Sequence, residues 1–132
     1  MKKYLFLGGV FLVLSSFFGV KLKNKNEKEI KFMILGKWNE KVVKNSLLTI
    51  YVNDFLLNDS VNLMIISRNL KNEILPDTVS YKVHYQIKND SVIFNLGGAE
   101  KPYYEGHKIV YLSKNRMHLQ FKKSISKYKR IK

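Results

Sequence analysis

Hydrophobic and polar residues alternate strictly over residues 79–88, the clearest pattern in the chain. The apolar phase consists of Val79, Tyr81, Val83, Tyr85 and Ile87. Successive side chains of a β-strand point to opposite faces, so this segment predicts a strand with one buried and one wet face. Asn89 and Asp90 then form a tight-turn dipeptide, and 91–96 follows as the partner strand of a hairpin.

Shorter β patterns occupy most of the chain after residue 34. Segments rich in β-branched and aromatic residues predict further strands at 36–43, 46–52, 61–67, 108–112, 117–122 and 126–131. No connection is long enough for a crossover helix, which predicts an antiparallel meander of about seven to eight strands. Closure into a small barrel would remove the exposed edges of such a sheet. The predicted fold class is therefore an all-β barrel preceded by an apolar N-terminal helix.

The first 20 residues have the pattern of an export segment. Lys2 and Lys3 precede an uncharged apolar run at 4–20. The run is long for a signal core and close to the lower limit for a membrane span, so a cleaved signal peptide and an uncleaved anchor both stay open. Residues 21–33 are polar and predict a linker with at most one helical turn at 27–32. The predicted domain organisation is signal or anchor at 1–20, linker at 21–33 and barrel at 34–132.

The composition excludes several kinds of functional site and indicates the kind of partner. The 132 residues include no cysteine, which excludes disulfides, thiolate metal sites and cysteine nucleophiles. The formal net charge is +14, and loss of the segment with Lys2 and Lys3 would leave +12. Such a charge attracts anionic lipid, acidic glycan or nucleic acid. Because export removes most contact with nucleic acid, we expect an anionic membrane surface or another envelope component as partner.

Motifs for catalysis and metal binding are missing from the sequence. The three histidines, His84, His107 and His118, lie in different segments without metal-ligand spacing. No Gly-x-Ser-x-Gly elbow is present, and all four aspartates fall at predicted turns. We therefore expect a protein that is not an enzyme, with no catalytic residue, metal or cofactor.

Three sequence features occur in an informative order. Leu35-Gly36-Lys37-Trp38 opens the first strand, a tyrosine-rich strand with an Asn-Asp turn lies in mid-chain, and Tyr128-Lys129-Arg130-Ile131 closes the chain. This order resembles the small lipocalin-like domains of bacterial envelope proteins over residues 32–132. The resemblance implies a calycin-type barrel closed at one end by Gly36, Trp38 and Arg130, with the arginine lying across the tryptophan ring. Those roles are structural.

Aromatic residues on the predicted inner face are the candidate ligand site. We expect Tyr81, Tyr85 and Phe94 to line the interior, and Tyr103 and Tyr104 to lie near the mouth in a loop at 97–106. These side chains either form a pocket for a small apolar or anionic amphipathic ligand, or simply fill the barrel.

The pocket interpretation predicts a non-catalytic ligand-binding protein, exported to the periplasm or cell envelope as a secreted or membrane-anchored protein. One alternative is a ligand-free barrel that acts as an interaction or inhibitor module in the envelope. A second alternative is a basic barrel that binds nucleic acid, supported by charge and aromatic residues.

Overall fold

Eight antiparallel strands form a closed barrel in the computed structural model, which describes residues 25–69, 71, 73–75 and 78–132. The strands are β1 (Gly36–Lys44), β2 (Leu47–Phe55), β3 (Ser60–Arg68), β4 (Val79–Lys88), β5 (Ser91–Asn95), β6 (Tyr104–Leu112), β7 (Arg116–Phe121) and β8 (Ser124–Arg130). Each strand pairs with its successor, and β8 returns to β1. The predicted all-β class, meander order and barrel closure are confirmed. The predicted export segment at 1–20 lies outside the described residues.

The strand registers identify the inner face of the barrel. Directly opposed residues of an antiparallel pair point to the same face. Phe55 is opposite Val61, and Val61 is opposite Val83, and all three are buried. Every second residue from these positions therefore points inward.

Within the described ranges, no helix is long and apolar enough to cross a membrane.

A short helix, α1 (Glu27–Ile34), covers one end of the barrel. Asn26 caps it, because its side-chain oxygen accepts the N–H of Glu29 at 2.8 Å. Ile30 and Ile34, one turn apart on the same face, are 1% and 0% exposed and belong to the barrel core.

The helix is longer than the single turn predicted within the linker. Its eight residues include only two that are fully buried, and the rest are largely charged. The packing of Ile30 and Ile34 against the end of the barrel stabilises a segment that is too short to be helical alone. That packing is a tertiary effect, and the local sequence does not reveal it.

Trp38 and Arg130 lie beside α1 at the same end. The Trp38 side chain is completely buried, and its Nε1 donates a hydrogen bond to the carbonyl oxygen of Ile34 at 2.7 Å. Arg130 is the direct cross-strand partner of Trp38, with its guanidinium carbon 4.1 Å from the ring centroid. The guanidinium also donates to three backbone carbonyl oxygens, those of Met33, Leu35 and Lys114, at 2.6, 2.5 and 2.6 Å. One side chain thus joins β8 to α1, β1 and the β6–β7 turn.

Gly36 permits this close approach between helix and strand. Its φ of +105° lies in the region that residues with a side chain rarely adopt. A Cβ atom at this position would lie 2.9 Å from Nη1 of Arg130. Any larger residue would therefore strain the backbone and displace the guanidinium.

We expect Trp38→Ala to lower the free energy of unfolding by about 3–5 kcal/mol, because it removes a large buried side chain. Arg130→Ala should also destabilise the barrel, and the double variant should lose less than the sum of the single losses. Urea unfolding measures all three. Lys123→Ala, exposed in the β7–β8 turn, is the control and should have little effect. Additive losses would contradict an energetic coupling between the two side chains.

Candidate functional site

The barrel is open at the end opposite α1. Three turns lie at the α1 end: Asp59 of the β2–β3 turn pairs with Lys31, Asn89 of the β4–β5 turn donates to Glu27, and Lys114 accepts from Arg130. The other four turns therefore form the opposite rim. Inward-facing side chains near that rim stay exposed, namely Val42, Tyr51, Val79 and Tyr81 at 37%, 36%, 48% and 43%. Water thus reaches the interior from this side, which we call the open end.

The barrel wall is lower on one side of the open end. β1 pairs with β8 only through Trp38 and Asn39, whereas it pairs with β2 along its whole length to Lys44. β4 pairs with β5 only from His84 to Lys88, although its pairing with β3 reaches Val79. The sheet β1–β4 therefore extends beyond the shorter sheet β5–β8 and leaves a slanted mouth.

One part of the inner wall is polar. Glu40 lies two residues beyond Trp38 on the same face and is the cross-strand partner of Tyr51. Burial raises the pKa of Tyr128, and the negative charge of Glu40 raises it further, while hydrogen bonds with Asn53 and Ser126 act in the opposite direction. Tyr128 lies two residues before Arg130 on β8, and Glu40 lies two residues after Trp38 on β1, so both point inward from adjacent strands.

Glu40 Oε2 is buried and has no hydrogen-bond partner within the part of the chain that the structure describes. Buried polar atoms are almost always hydrogen-bonded, because burial without a partner is unfavourable. A hydrogen bond from a donor group of a bound molecule would therefore satisfy this oxygen and remove the cost of its burial.

A second polar pair lies on β6. His107 Nε2 is 2.7 Å from Glu105 Oε1, and both side chains are only partly exposed. The His107 ring stacks on Phe121 with centroids 4.8 Å apart, and its other neighbour is the edge of Phe94 at 5.2 Å. These ring contacts fix the imidazole in one orientation at the boundary between the packed and the open half.

The remaining inner wall, on β3 and β4, is apolar. The registers place Leu63 opposite Tyr81 and Ile65 opposite Val79, all four pointing inward. Leu63 and Ile65 are half-buried, and their partners are exposed to the open end. The open half of the interior therefore has one polar and one apolar side.

The five predicted ligand residues occupy three different environments. Tyr85 and Phe94 are 4% and 5% exposed in the closed-end core, where Tyr85 packs edge-on against Phe55 with centroids 5.0 Å apart. Tyr81 faces the open interior. Tyr103 and Tyr104 are exposed at the β5–β6 connection, on the rim of the open end.

Tyr104 begins β6 opposite Asn95, and this register places it on the outer face, since the neighbouring Phe94 and Glu105 point inward. The registers place Tyr51 between Glu40 of β1 and Ile65 of β3, and all three point into the same open interior as Tyr81. Sequence reasoning did not select these three residues. A usable signal existed for Glu40, because it follows Trp38 at the spacing of one strand face.

Exposed lysines surround the open end. They lie at the end of β1 and in the connections between β3 and β4, β5 and β6, and β7 and β8: Lys44, Lys71, Lys101, Lys122 and Lys123. Glu73 and Glu100 are the acidic residues described in these connections. The rim therefore has an excess of positive charge, in contrast to the carboxylates inside.

No family model, curated protein or solved structure matches this chain. The described ranges also contain no group of three or more His, Cys, Asp or Glu residues that could hold a metal ion.

Glu40→Gln should lower the pKa of Tyr128, because it removes a negative charge that disfavours the phenolate. NMR titration of protein labelled with ¹³C at the tyrosine ring measures this shift, and Tyr128→Phe identifies the resonance among the eight tyrosines. Glu100→Gln, on the exposed rim, is the matched control and should leave the titration unchanged. An identical Tyr128 titration in the Glu40 variant would mean that the two groups are not neighbours in solution.

Proposed function

We propose that the protein is a non-catalytic, extracytoplasmic, lipocalin-like barrel that binds a small apolar or amphipathic molecule in the open half of its interior. One observation carries this proposal: inward-facing Tyr51, Val79 and Tyr81 stay exposed above a fully packed lower half. A barrel filled by its own side chains along its whole length would cover Tyr51 and Tyr81, which lie inside the strand ends. An eight-stranded barrel is wide enough to hold one small ligand.

The lipocalin-like assignment is part of this proposal. It is supported by the closed eight-stranded antiparallel barrel, which is compatible with a calycin-type fold, and by the contact between Trp38 and Arg130. Export through residues 1–20, as a cleaved signal or an anchor, rests on the sequence pattern.

The wall chemistry favours an amphipathic ligand. The apolar side of the interior, with Leu63, Ile65 and Val79, would hold a hydrocarbon part, while Glu40 would accept a hydrogen bond from a donor on the ligand. An anionic head group would lie at the rim, where lysines such as Lys44 and Lys122 remain in contact with water.

Ile65 and Ile66 provide a matched test of an internal site. Both are half-buried residues of β3, but Ile65 points into the barrel and Ile66 points outward. Ligands that bind only the folded state raise the melting temperature. We expect a fatty-acid mixture to raise the Tm of the natural protein by several degrees, Ile65→Glu to abolish the rise, and Ile66→Glu to retain it.

The melting experiment also has a clear negative outcome. A folded protein whose Tm does not respond to anionic or neutral amphiphiles would exclude this ligand class. Equal loss of response in both isoleucine variants would place binding elsewhere than the interior. Native mass spectrometry of protein purified from its own envelope would identify a retained molecule and its stoichiometry.

A function of the outer surface is the second candidate, and one feature favours it. The outer face of β7, β8 and β1 is basic, with Arg116 directly opposite Lys129 and His118 opposite Lys127. Burial lowers the pKa of His118, and the charges of Lys127 and Arg116 lower it further. Opposed like charges destabilise a sheet, so this surface suits an acidic partner in the envelope. Nucleic acid would also be attracted to it, but export would prevent that contact.

A further inference from the structure

Two hydrophobic side chains at the closed end are almost fully exposed. Phe32 of α1 is 77% exposed and Leu57 of the β2–β3 turn is 81% exposed, the highest values among the large hydrophobic side chains described. Both line the same surface groove, together with Lys25, Lys28 and Lys31. We call these five residues the closed-end face.

The fold gives no reason for an apolar residue at either position. The helix is held to the barrel by Ile30 and Ile34, and Phe32 lies on the other side of α1. Leu57 lies at the tip of a turn that is fixed by the pairing of Asp59 with Lys31. Single exposed hydrophobic residues are common, but two adjacent ones from different elements indicate a contact surface.

The charges around the pair indicate the kind of contact. Three lysines and one carboxylate, that of Glu29, line the groove with Phe32 and Leu57. Lys25 pairs with Glu29 and Lys31 pairs with Asp59, so the groove has an excess of positive charge. Apolar tips surrounded by lysines are typical of surfaces that lie on anionic lipid, where the tips enter the acyl boundary and the ammonium groups meet phosphates.

The path of the chain brings this face near a bilayer if residues 4–20 are membrane-bound. The apolar run ends at Val20, and the described structure begins at Lys25, within the closed-end face. A fully extended chain covers at most about 3.6 Å per residue, so the five steps between these residues span about 18 Å or less. The open end, on the opposite side of the barrel, would then face away from the membrane.

We propose that the closed-end face docks on an anionic lipid bilayer, with Phe32 and Leu57 at the boundary between head groups and acyl chains. The inference is independent of the proposed ligand site, because it uses the opposite end of the barrel.

The full chain lacks cysteine, so single labelling sites can be introduced cleanly. An environment-sensitive fluorophore is attached at Leu57→Cys, where it replaces one apolar tip, and at Val43→Cys as the control. Val43 is 73% exposed near the rim of the open end. The full-length protein is added to phosphatidylcholine vesicles with or without phosphatidylglycerol, some of which carry nitroxide-labelled lipid as quencher. Circular dichroism verifies that each labelled protein is folded.

With phosphatidylglycerol present, we expect blue-shifted emission and at least several-fold stronger quenching at position 57 than at position 43. Adding Phe32→Ser should reduce quenching at position 57, whereas Tyr103→Ser, an exposed aromatic on the rim, should not. Equal quenching at the two labelled positions would overturn the docked orientation, and equal quenching without phosphatidylglycerol would overturn the requirement for anionic lipid. A probe at 57 that is already shielded without vesicles and does not respond to them would show that the chain itself covers the face.

Discussion

The contact of Arg130 with Trp38 is the interaction on which the rest of this barrel depends. The guanidinium lies over the indole ring of β1 and at the same time donates to carbonyl oxygens of α1, of Leu35 between α1 and β1, and of the β6–β7 turn. Carbonyl oxygens at the end of a helix need such donors, because no intrahelical partner is available to them. Arginine suits this position since its planar group can stack and donate several hydrogen bonds together. One residue therefore closes the sheet, holds the helix and covers the core.

This closure divides the interior into two halves with different chemistry. Below the level of Trp38 and Phe94, aromatic and aliphatic side chains pack against one another and against Ile30 and Ile34. Above it, Glu40 of β1 and Tyr128 of β8 form a polar part of the wall, whereas Leu63 and Ile65 of β3 and Val79 of β4 form an apolar part. Because the lower half is fixed by packing, the upper half can keep unfilled hydrogen-bonding capacity, such as that of Glu40, without loss of the fold.

The sequence predicts strands and their faces better than it predicts depth within the barrel. The alternation at 79–88 predicted β4 with the bounds that the structure has, and the pattern correctly placed Tyr81 and Tyr85 on one face. Tyr81 nevertheless lies at the open end and Tyr85 in the core. These positions along the barrel axis depend on the register between neighbouring strands. Period-two patterning carries no information on that register. The sequence also predicts a shorter helix than α1, for a related reason. Two isoleucines among charged residues stabilise a helix only when they can pack against another element, here the end of the barrel.

Positive and negative side chains are separated between the outside and the inside of the barrel. Most cationic side chains lie on the outer wall, on α1 and on the rim, whereas Glu40 and Glu105 point into the interior. A ligand that crossed the rim, as we propose, would pass from a positive to a negative environment, which would orient an amphipathic molecule with its anionic group outward. If the closed-end face lies on a bilayer, the mouth opens to water, and a ligand would arrive from the aqueous side. Under that arrangement the barrel would take up molecules already released from the membrane and would not extract them from the lipid beneath it.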